Sequence, residues 1–313
     1  MQIFISGSLA YDRIMDFPGK FVDHILPDKV HLLNVCFMVD GLTEKFGGTA
    51  GNIAHTLALL DEKPLILAAC GRDFDRYRVR LQELGLSLAG VRCVEDELTA
   101  GAYITTDKTD NQITAFNPGA MKYPSKYEFD GLDPRQALAI VSPGSLEDMA
   151  VYPEFFRKKG APFIFDPGQS IPALGGEGLR NGIRGSEILI SNDYELEMIT
   201  QASGWDQSTI LENTKAIVTT LGEHGSLVLT RQGKIDIPAA APTRVLDPTG
   251  AGDAYRAGMI KGLALGLDLP AACRVGAVSA VYAVENYGTQ EHRFTPAEFR
   301  ARYGDNFGED LAW

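Results

Sequence analysis

Asp247-Pro248-Thr249-Gly250-Ala251-Gly252-Asp253-Ala254-Tyr255-Arg256-Ala257-Gly258 puts a glycine-rich turn, a carboxylate and the start of a helix into twelve residues. Gly250 and Gly252 tolerate backbone angles closed to other residues and let a ligand come against the main chain, so the amides of residues 250 to 253 converge on one anion. Downstream, Ala254, Ala257, Met259, Ile260, Leu263 and Leu265 recur at helical spacing up to Gly266. That pattern puts Asp253 in the first turn and adds the positive end of the helix to the cradle. A capping aspartate behind an ordinary glycine turn accounts for one Gly and one Asp, but not for the whole stretch. An alcohol is too weak an acid to ionise at neutral pH, so phosphoryl transfer to a hydroxyl calls for a positioned group that takes its proton. Asp253, ionised and aimed at the anion site formed by Gly250, Ala251 and Gly252, is the candidate base.

Short apolar runs at 3–6, 65–69, 138–142, 163–166, 188–191 and 217–220 alternate with helical patterns at 52–60, 74–84, 146–159 and 194–201. That alternation predicts a mostly parallel sheet with helices on both faces, the three-layer α/β/α arrangement. In such sheets ligands sit beyond the carboxyl ends of the strands. Polar residues follow those ends here: Ser8 and Asp12, Asp166 and Gln169, Asn192 and Glu195, Gly222 and Gly225. The Asp12 carboxylate suits two adjacent hydroxyls, since it accepts and they donate. The same turn lacks the G-x-G-x-x-G of a dinucleotide fold, which argues against a dehydrogenase. Arg256 shares the helical face of Asp253 and has phosphate or a salt bridge as its partner, while His224 reads as exposed.

Two regions break the alternation. Residues 13–46 carry β-like pieces at 14–17 and 35–42, and 100–106 with 112–116 form a hairpin pattern. They read as a small β lid (13–46 and 99–117) inserted into a main domain (1–12, 47–98 and 118–304), with 305–313 as a frayed C-terminal tail.

The 313 residues suffice for a large core, and 29 Lys plus Arg against 41 Asp plus Glu give a formal charge of −12. That balance excludes a nucleic-acid backbone or an anionic membrane as the main partner. It is compatible with phosphate binding, because amides, a helix N-terminus and Mg²⁺ supply local positive potential. Cys36, Cys70, Cys93 and Cys273 are too widely spaced for a zinc site or a disulfide framework and read as free thiols. The N-terminus lacks the features of a signal peptide, and 259–284, the most apolar late stretch, is broken by Lys261, Asp268 and Arg274. A cytoplasmic protein is expected.

Residues 247–258 resemble, position by position, the C-terminal signature of the PfkB/ribokinase family of sugar and nucleoside kinases. Residues 46–71, from Phe46-Gly47-Gly48-Thr49-Ala50-Gly51-Asn52 to Gly71, resemble its N-terminal signature. Asp61 stands where the family usually has Gly or Ser, and Asp also enters the left-handed conformation needed at a helix end. The resemblance implies a ribokinase-like fold with a β-sheet lid that covers the substrate and often forms a homodimer. It further implies substrate contacts from Gly47, Gly48 and Asn52. Thr220-x-Gly222-x-x-Gly225 and Thr249 would meet the nucleotide. Asn192-x-x-Glu195 would hold Mg²⁺ through water.

Segments including 7–12, 17–19, 117–121 and Gly288-Thr289-Gln290-Glu291 are similar to bacterial adenosine kinases of the mycobacterial type. That likeness implies Mg·ATP-dependent phosphorylation of the adenosine 5′-hydroxyl to AMP, with K⁺ as a further cofactor that family members commonly use. Ser8, Asp12 and Gln169 would touch the nucleoside, and Phe116, with Phe37 and Tyr103, would stack on the purine. Cys36 replaces an expected serine and weakens that contact. Two alternatives stay open: a kinase of the same family for another nucleoside or a sugar, and a catalytically silent nucleoside-binding protein of the same fold.

Overall fold

Every second residue of the first strand faces a different core, and that parity sets the layers. The computed structural model describes residues 1–25, 27–32 and 34–313. In chain order the elements are β1 (Gln2–Ser6), β2 (Ala10–Asp16), β3 (Leu42–Gly47), α1 (Thr49–Leu59), β4 (Leu65–Gly71), α2 (Asp75–Glu83), β5 (Val91–Val94), β6 (Ala100–Thr106) and β7 (Gln112–Asn117). There follow β8 (Ala137–Val141), α3 (Leu146–Lys159), β9 (Phe163–Phe165), α4 (Ile171–Ile183, broken at Gly175), β10 (Ile188–Asn192), α5 (Asp193–Ser203), α6 (Gln207–Asn213) and β11 (Ala216–Thr220). The chain ends with β12 (Ser226–Thr230), β13 (Gly233–Ile237), α7 (Ala251–Ala264), α8 (Leu269–Val284) and α9 (Pro296–Phe307). Ile3 and Ile5 join the core under α1, α2, α7, α8 and α9. Phe4 joins the opposite core with Phe156 of α3, Ile183 of α4 and Ile199 of α5.

The main sheet has nine strands in the order β13-β12-β11-β10-β9-β8-β1-β4-β5. All neighbours are parallel except β12, which runs antiparallel to β11 and β13. This is the expected three-layer α/β/α arrangement. A second, four-stranded sheet in the order β3-β2-β6-β7 forms the lid, with β2 and β6 parallel and the outer pairs antiparallel. No helix among the described residues is long and apolar enough to cross a membrane. The four cysteines are free thiols.

Local signals hold at several boundaries. Asp61 takes φ 61° just past α1, as its position after the helix predicts. Ser145 caps α3, and Gly160 ends it in the left-handed conformation.

Three expectations need correction. The lid sheet begins at Ala10 rather than after residue 12, so Asp12 stands in β2 and not in a loop of the main domain, and Gly47 closes β3. The piece at 35–42 is not a strand. Phe37 instead sinks among Phe17, Phe21 and His24, at ring separations of 4.9, 5.0 and 6.0 Å, so aromatic packing replaces sheet pairing there. Leu26 and Leu33, in the same lid range, lie outside the described residues.

The C-terminus, third, is not frayed. α9 continues to Phe307, Leu311 is buried, and Trp313 meets Phe299 edge-on at 5.6 Å. The Trp313 ring also lies 5.1 Å from the ammonium of Lys261, which is buried and paired with Glu62 at 2.8 Å. The terminal aromatic thus covers a buried ion pair. Truncation after Gly308 is expected to lower stability by about 2–4 kcal/mol, the scale of losing the buried Leu311 with the partly buried Trp313, read from urea unfolding midpoints. An unchanged midpoint would restore the frayed-tail reading.

Candidate active site

β1 lies between β4 and β8: the chain builds outward through β4 and β5 on one side and, after lid strands β6 and β7, from β8 on the other, which opens a crevice at the strands' carboxyl ends. Two compartments meet there. A polar groove of about 430 Å³ is lined by Gln169, Asn192, Glu195, Thr220, Gly222 and Asp253, among others. A cavity of about 340 Å³ beside it has apolar walls from Ala239, Pro242 and Val245 and from Ala277, Val281 and Val284 of α8. Both include Ala251 and Gly252, so the glycine turn is their common wall.

Gly250 caps α7 with φ 83°, and a Cβ there would also lie 3.0 Å from the Thr289 side chain. The Asp247 carboxylate clamps the turn by accepting the amides of Thr249 at 2.9 Å and Gly288 at 3.0 Å. The amide of Ala251 closes the turn on the carbonyl of Pro248 at 3.2 Å, while helix geometry leaves the first-turn amides of Gly252 and Asp253 without intrahelical acceptors. They and the helix dipole make a candidate anion site beside the groove.

Asp253 stands at the inner end of that site, where Asn52 of α1 donates from Nδ2 to its Oδ2 at 2.8 Å. Burial pushes the Asp253 carboxyl up to about 6, and the Asp166 and Glu195 carboxylates add to the rise. The Arg256 guanidinium and the Asn52 hydrogen bond oppose it. The group is therefore mostly ionised at pH 7 yet close enough to its pKa to exchange a proton readily.

Arg256 is not free for phosphate. It forms a buried two-pronged pair with Asp166, Nε to Oδ2 and Nη2 to Oδ1, both 2.6 Å, and Nη1 donates to the carbonyl of Gly252 at 3.0 Å. Asp166, a candidate ligand contact as a strand-end residue, is thereby committed to the protein. The pair ties the end of β9 to the first turn of α7.

Asn192 and Glu195 form a capping box on α5. Asn192 Oδ1 accepts the Glu195 amide at 2.7 Å, and Glu195 Oε2 accepts the Asn192 amide at 2.9 Å. Glu195 Oε1 has no hydrogen-bond partner among the described residues, and it lies on the groove. One free carboxylate oxygen fits a contact to the hydration shell of Mg²⁺ rather than a full set of direct ligands. No group of three acidic, His or Cys side chains stands ready to hold a metal among the described residues. Thr220 and Gly222 border both compartments, Gly225 turns into β12 with φ 87°, and His224 is exposed. Thr249 is exposed at the turn, and Gln169 is exposed on the groove rim.

Lid register sorts the acceptor-side candidates. Asp12 pairs with Lys45 on one side and Ala102 on the other, and Ala102 pairs with Phe116. Residues in one such transverse row share a face of the sheet, so Asp12 and Phe116 face the same way. Gly47, two residues from Lys45, is on that face as well, and a Cβ on it would lie 2.5 Å from Asp12 Oδ2. Burial and the Asp247 charge raise the pKa of Asp12. Gly48, with φ 87°, turns β3 into α1 and so brings Asn52 within reach of Asp253.

Tyr103 is one residue out of phase and faces the other side, where its hydroxyl accepts from Arg13 at 3.1 Å. It cannot share a ligand with Phe116, and Phe37 is likewise committed to its aromatic cluster. Ser8 is buried and donates nothing to the groove. Its Oγ accepts the Thr49 amide at 3.0 Å and contacts Thr49 Oγ1 at 3.3 Å, tying the loop after β1 to α1.

Three features escaped the sequence reading: the Asp166–Arg256 pair, the apolar walls supplied by α8, and the contacts of Gln290 with Asn52 and Tyr77. The salt bridge offered for Arg256 and the Gly288-Thr289-Gln290-Glu291 segment carried signals, but neither named the partner: not Asp166 for Arg256, nor Asn52 and Tyr77 for Gln290.

The pfkB family carbohydrate kinase model matches residues 22–296. The chain is 32% identical over 265 residues to a nucleoside kinase of Methanocaldococcus jannaschii, covering 82% of this chain and 85% of that protein. Among solved structures, a nucleoside kinase of Burkholderia thailandensis in complex with inosine superposes with a TM-score of 0.86 at 39% identity, covering 98% of this chain and 99% of that one. The same Burkholderia enzyme in complex with ADP-inosine superposes with a TM-score of 0.84 at 41% identity, covering 98% and 97%.

Proposed function

Since this chain belongs to the pfkB family of carbohydrate kinases, and is thus a phosphotransferase with an alcohol as acceptor, we propose that it phosphorylates the 5′-hydroxyl of a nucleoside from Mg·ATP. The observation that carries the reading is the position of Asp253. Asn52 holds it in the first turn of α7, directly after the glycine turn, and the acceptor-side candidates Asp12 and Phe116 share one lid face. Asp12 would accept two ribose hydroxyls, and Phe116, half exposed, would cover the base. Asp253 would take the proton of the 5′-hydroxyl as the bond to phosphorus forms.

The amides of Gly252 and Asp253 would stabilise the charge on the phosphoryl group in transit, since the helix leaves both without intrahelical acceptors. The nucleotide's base would lie against the apolar walls of α8, and its phosphates would point across the shared turn into the groove. Mg²⁺ neutralises phosphate charge when bound, and Glu195 Oε1 would orient its hydration water. Lid closure would exclude water that otherwise diverts the phosphoryl group. β7 is one of the two outer strands of the lid, with an edge left for a second copy in the homodimer that the resemblance implies.

Adenosine is the acceptor we infer, and the structural relative with bound inosine makes inosine its main competitor. The test is ADP release from Mg·ATP with adenosine, inosine, guanosine, cytidine, ribose, fructose and fructose 6-phosphate compared under identical conditions. Nucleosides are expected to exceed the free sugars in kcat/KM by at least about 100-fold, because a sugar leaves the base-binding surface unused. Preference for ribose or a fructose derivative would overturn the nucleoside assignment while leaving the kinase chemistry. Binding without turnover would favour a silent nucleoside-binding protein.

A further inference from the structure

Gln290 precedes α9 by a few residues and is buried, at 3% exposure, behind the candidate base. Its Nε2 donates to Asn52 Oδ1 at 3.0 Å and to the Tyr77 hydroxyl at 2.6 Å. Asn52 Nδ2 in turn donates to Asp253 at 2.8 Å, and the Tyr77 hydroxyl donates to the carbonyl of Gly47 at 2.8 Å. The ends of this chain fix its sense. A main-chain carbonyl only accepts, so Tyr77 donates to Gly47 and must itself receive a hydrogen bond. An ionised carboxylate only accepts, so Asn52 turns its NH₂ to Asp253 and leaves its carbonyl to be satisfied from behind. Both requirements fall on one group with two N–H bonds, the NH₂ of Gln290.

The arrangement has a cost that marks it as specific. Gln290 Oε1 is buried and has no partner among the described residues. Such an orphan acceptor is tolerated where the rest of the amide is needed. Space for the junction comes from Gly51, where a methyl group would overlap the Tyr77 hydroxyl and lie 3.0 Å from Gln290 Nε2. The carbonyl of Gln290 is itself held by Arg293 Nη1 at 2.9 Å.

We propose that Gln290 is a positioning residue for the phosphoryl-transfer reaction, whose side-chain NH₂ locks the Asn52 amide in the single orientation that donates to Asp253. The proposal rests on Asp253 being the base. Without Gln290 the Asn52 amide is free to rotate and present its carbonyl to a carboxylate, which repels it and favours the protonated, inactive form of Asp253. The other charged groups facing Asp253 are Arg256 on α7, Asp166 beyond β9 and Glu195 on α5, and all three stay in place in the variants below.

The test is the pH dependence of kcat/KM of the full chain with Mg·ATP and its best nucleoside, for the wild type, Gln290→Met, Gln290→Glu and Asp253→Asn. Gln290→Met keeps the length without a donor, and Gln290→Glu reverses the polarity so that Asn52 is drawn away from Asp253. In Gln290→Met the acid limb is expected to move up by about one pH unit, a loss of about tenfold below the limb that is largely recovered on the alkaline plateau. In Gln290→Glu the added negative charge is expected to move it further. The position of an acid limb is independent of the fraction of active protein, so partial misfolding of a variant does not obscure the result.

Profiles that superpose on the wild type after scaling by one constant factor would overturn the proposal, since a merely structural role lowers activity equally at every pH. Retained turnover in Asp253→Asn would instead remove the base assignment, and the relay with it. An inactive Asp253→Asn beside an unmoved limb in both Gln290 variants would remove the relay alone.

Discussion

Asp253→Asn is expected to lower kcat by about 10²–10⁴-fold, the usual contribution of a positioned general base, with little change in nucleotide affinity. The amide keeps the shape and an acceptor for Asn52 but cannot take the proton of the hydroxyl. The wild-type kcat/KM should fall as pH drops through about 6, where the Asp253 carboxyl titrates in the free protein. Stability should move in the opposite direction. A carboxyl raised from 3.8 to about 6 binds its proton more tightly in the folded than in the unfolded chain. Its ionisation therefore opposes folding in full above about pH 6, partially between the two values, and not at all below them.

The neutral amide escapes that penalty. Ligand-free Asp253→Asn should be more stable than the wild type at pH 7.5 by about 1–3 kcal/mol, with the gap closing toward pH 4. Rapid-quench turnover and urea unfolding at two pH values read both effects. Near-normal turnover would remove Asp253 from the mechanism, and equal stability at pH 7.5 would mean that burial is not what shifts its proton affinity.

Arg256→Met should be the most damaging single change to the fold near the site. It leaves Asp166, 1% exposed, as an unpaired buried charge, which costs about 3–5 kcal/mol. It also releases the carbonyl of Gly252 and removes the positive charge that holds down the Asp253 pKa, so the acid limb of the activity profile should rise. The double variant Asp166→Leu/Arg256→Met has no orphaned charge and should regain most of the lost stability. Unfolding free energies from urea for the two single variants and the double one decide the point. Additive losses would mean that the two side chains do not act as a pair.

The glycine turn, the helix behind it and the strand-end carboxylates were legible because each depends on its immediate neighbours. Gly250 takes a positive φ, Asp61 ends α1 in the left-handed region, and Asn192 caps α5, all as local rules require. The candidates that went astray are those whose role depends on register or on a distant partner. Phe116 leads Tyr103 as a stacking aromatic in the sequence, but nothing there separates their orientations, and a one-residue difference in phase sends them to opposite faces of the lid. Arg256 is equally suited to phosphate or to a carboxylate, and only the end of β9 decides for Asp166.

By itself, then, the sequence determined the parts: a glycine-rich turn, a carboxylate in the first turn of the helix behind it, an α/β sheet to carry them, and family membership through two signatures. Tertiary structure alone decided how that carboxylate is held. The bond from Asn52 to Asp253 joins residues 201 positions apart, and the one from Gln290 to Asn52 joins residues 238 apart. Helix propensities, caps and turns act over a few residues, whereas these hydrogen bonds exist only when α1, α7 and the segment before α9 pack to within 3 Å at their polar tips. That distance is set by the whole core.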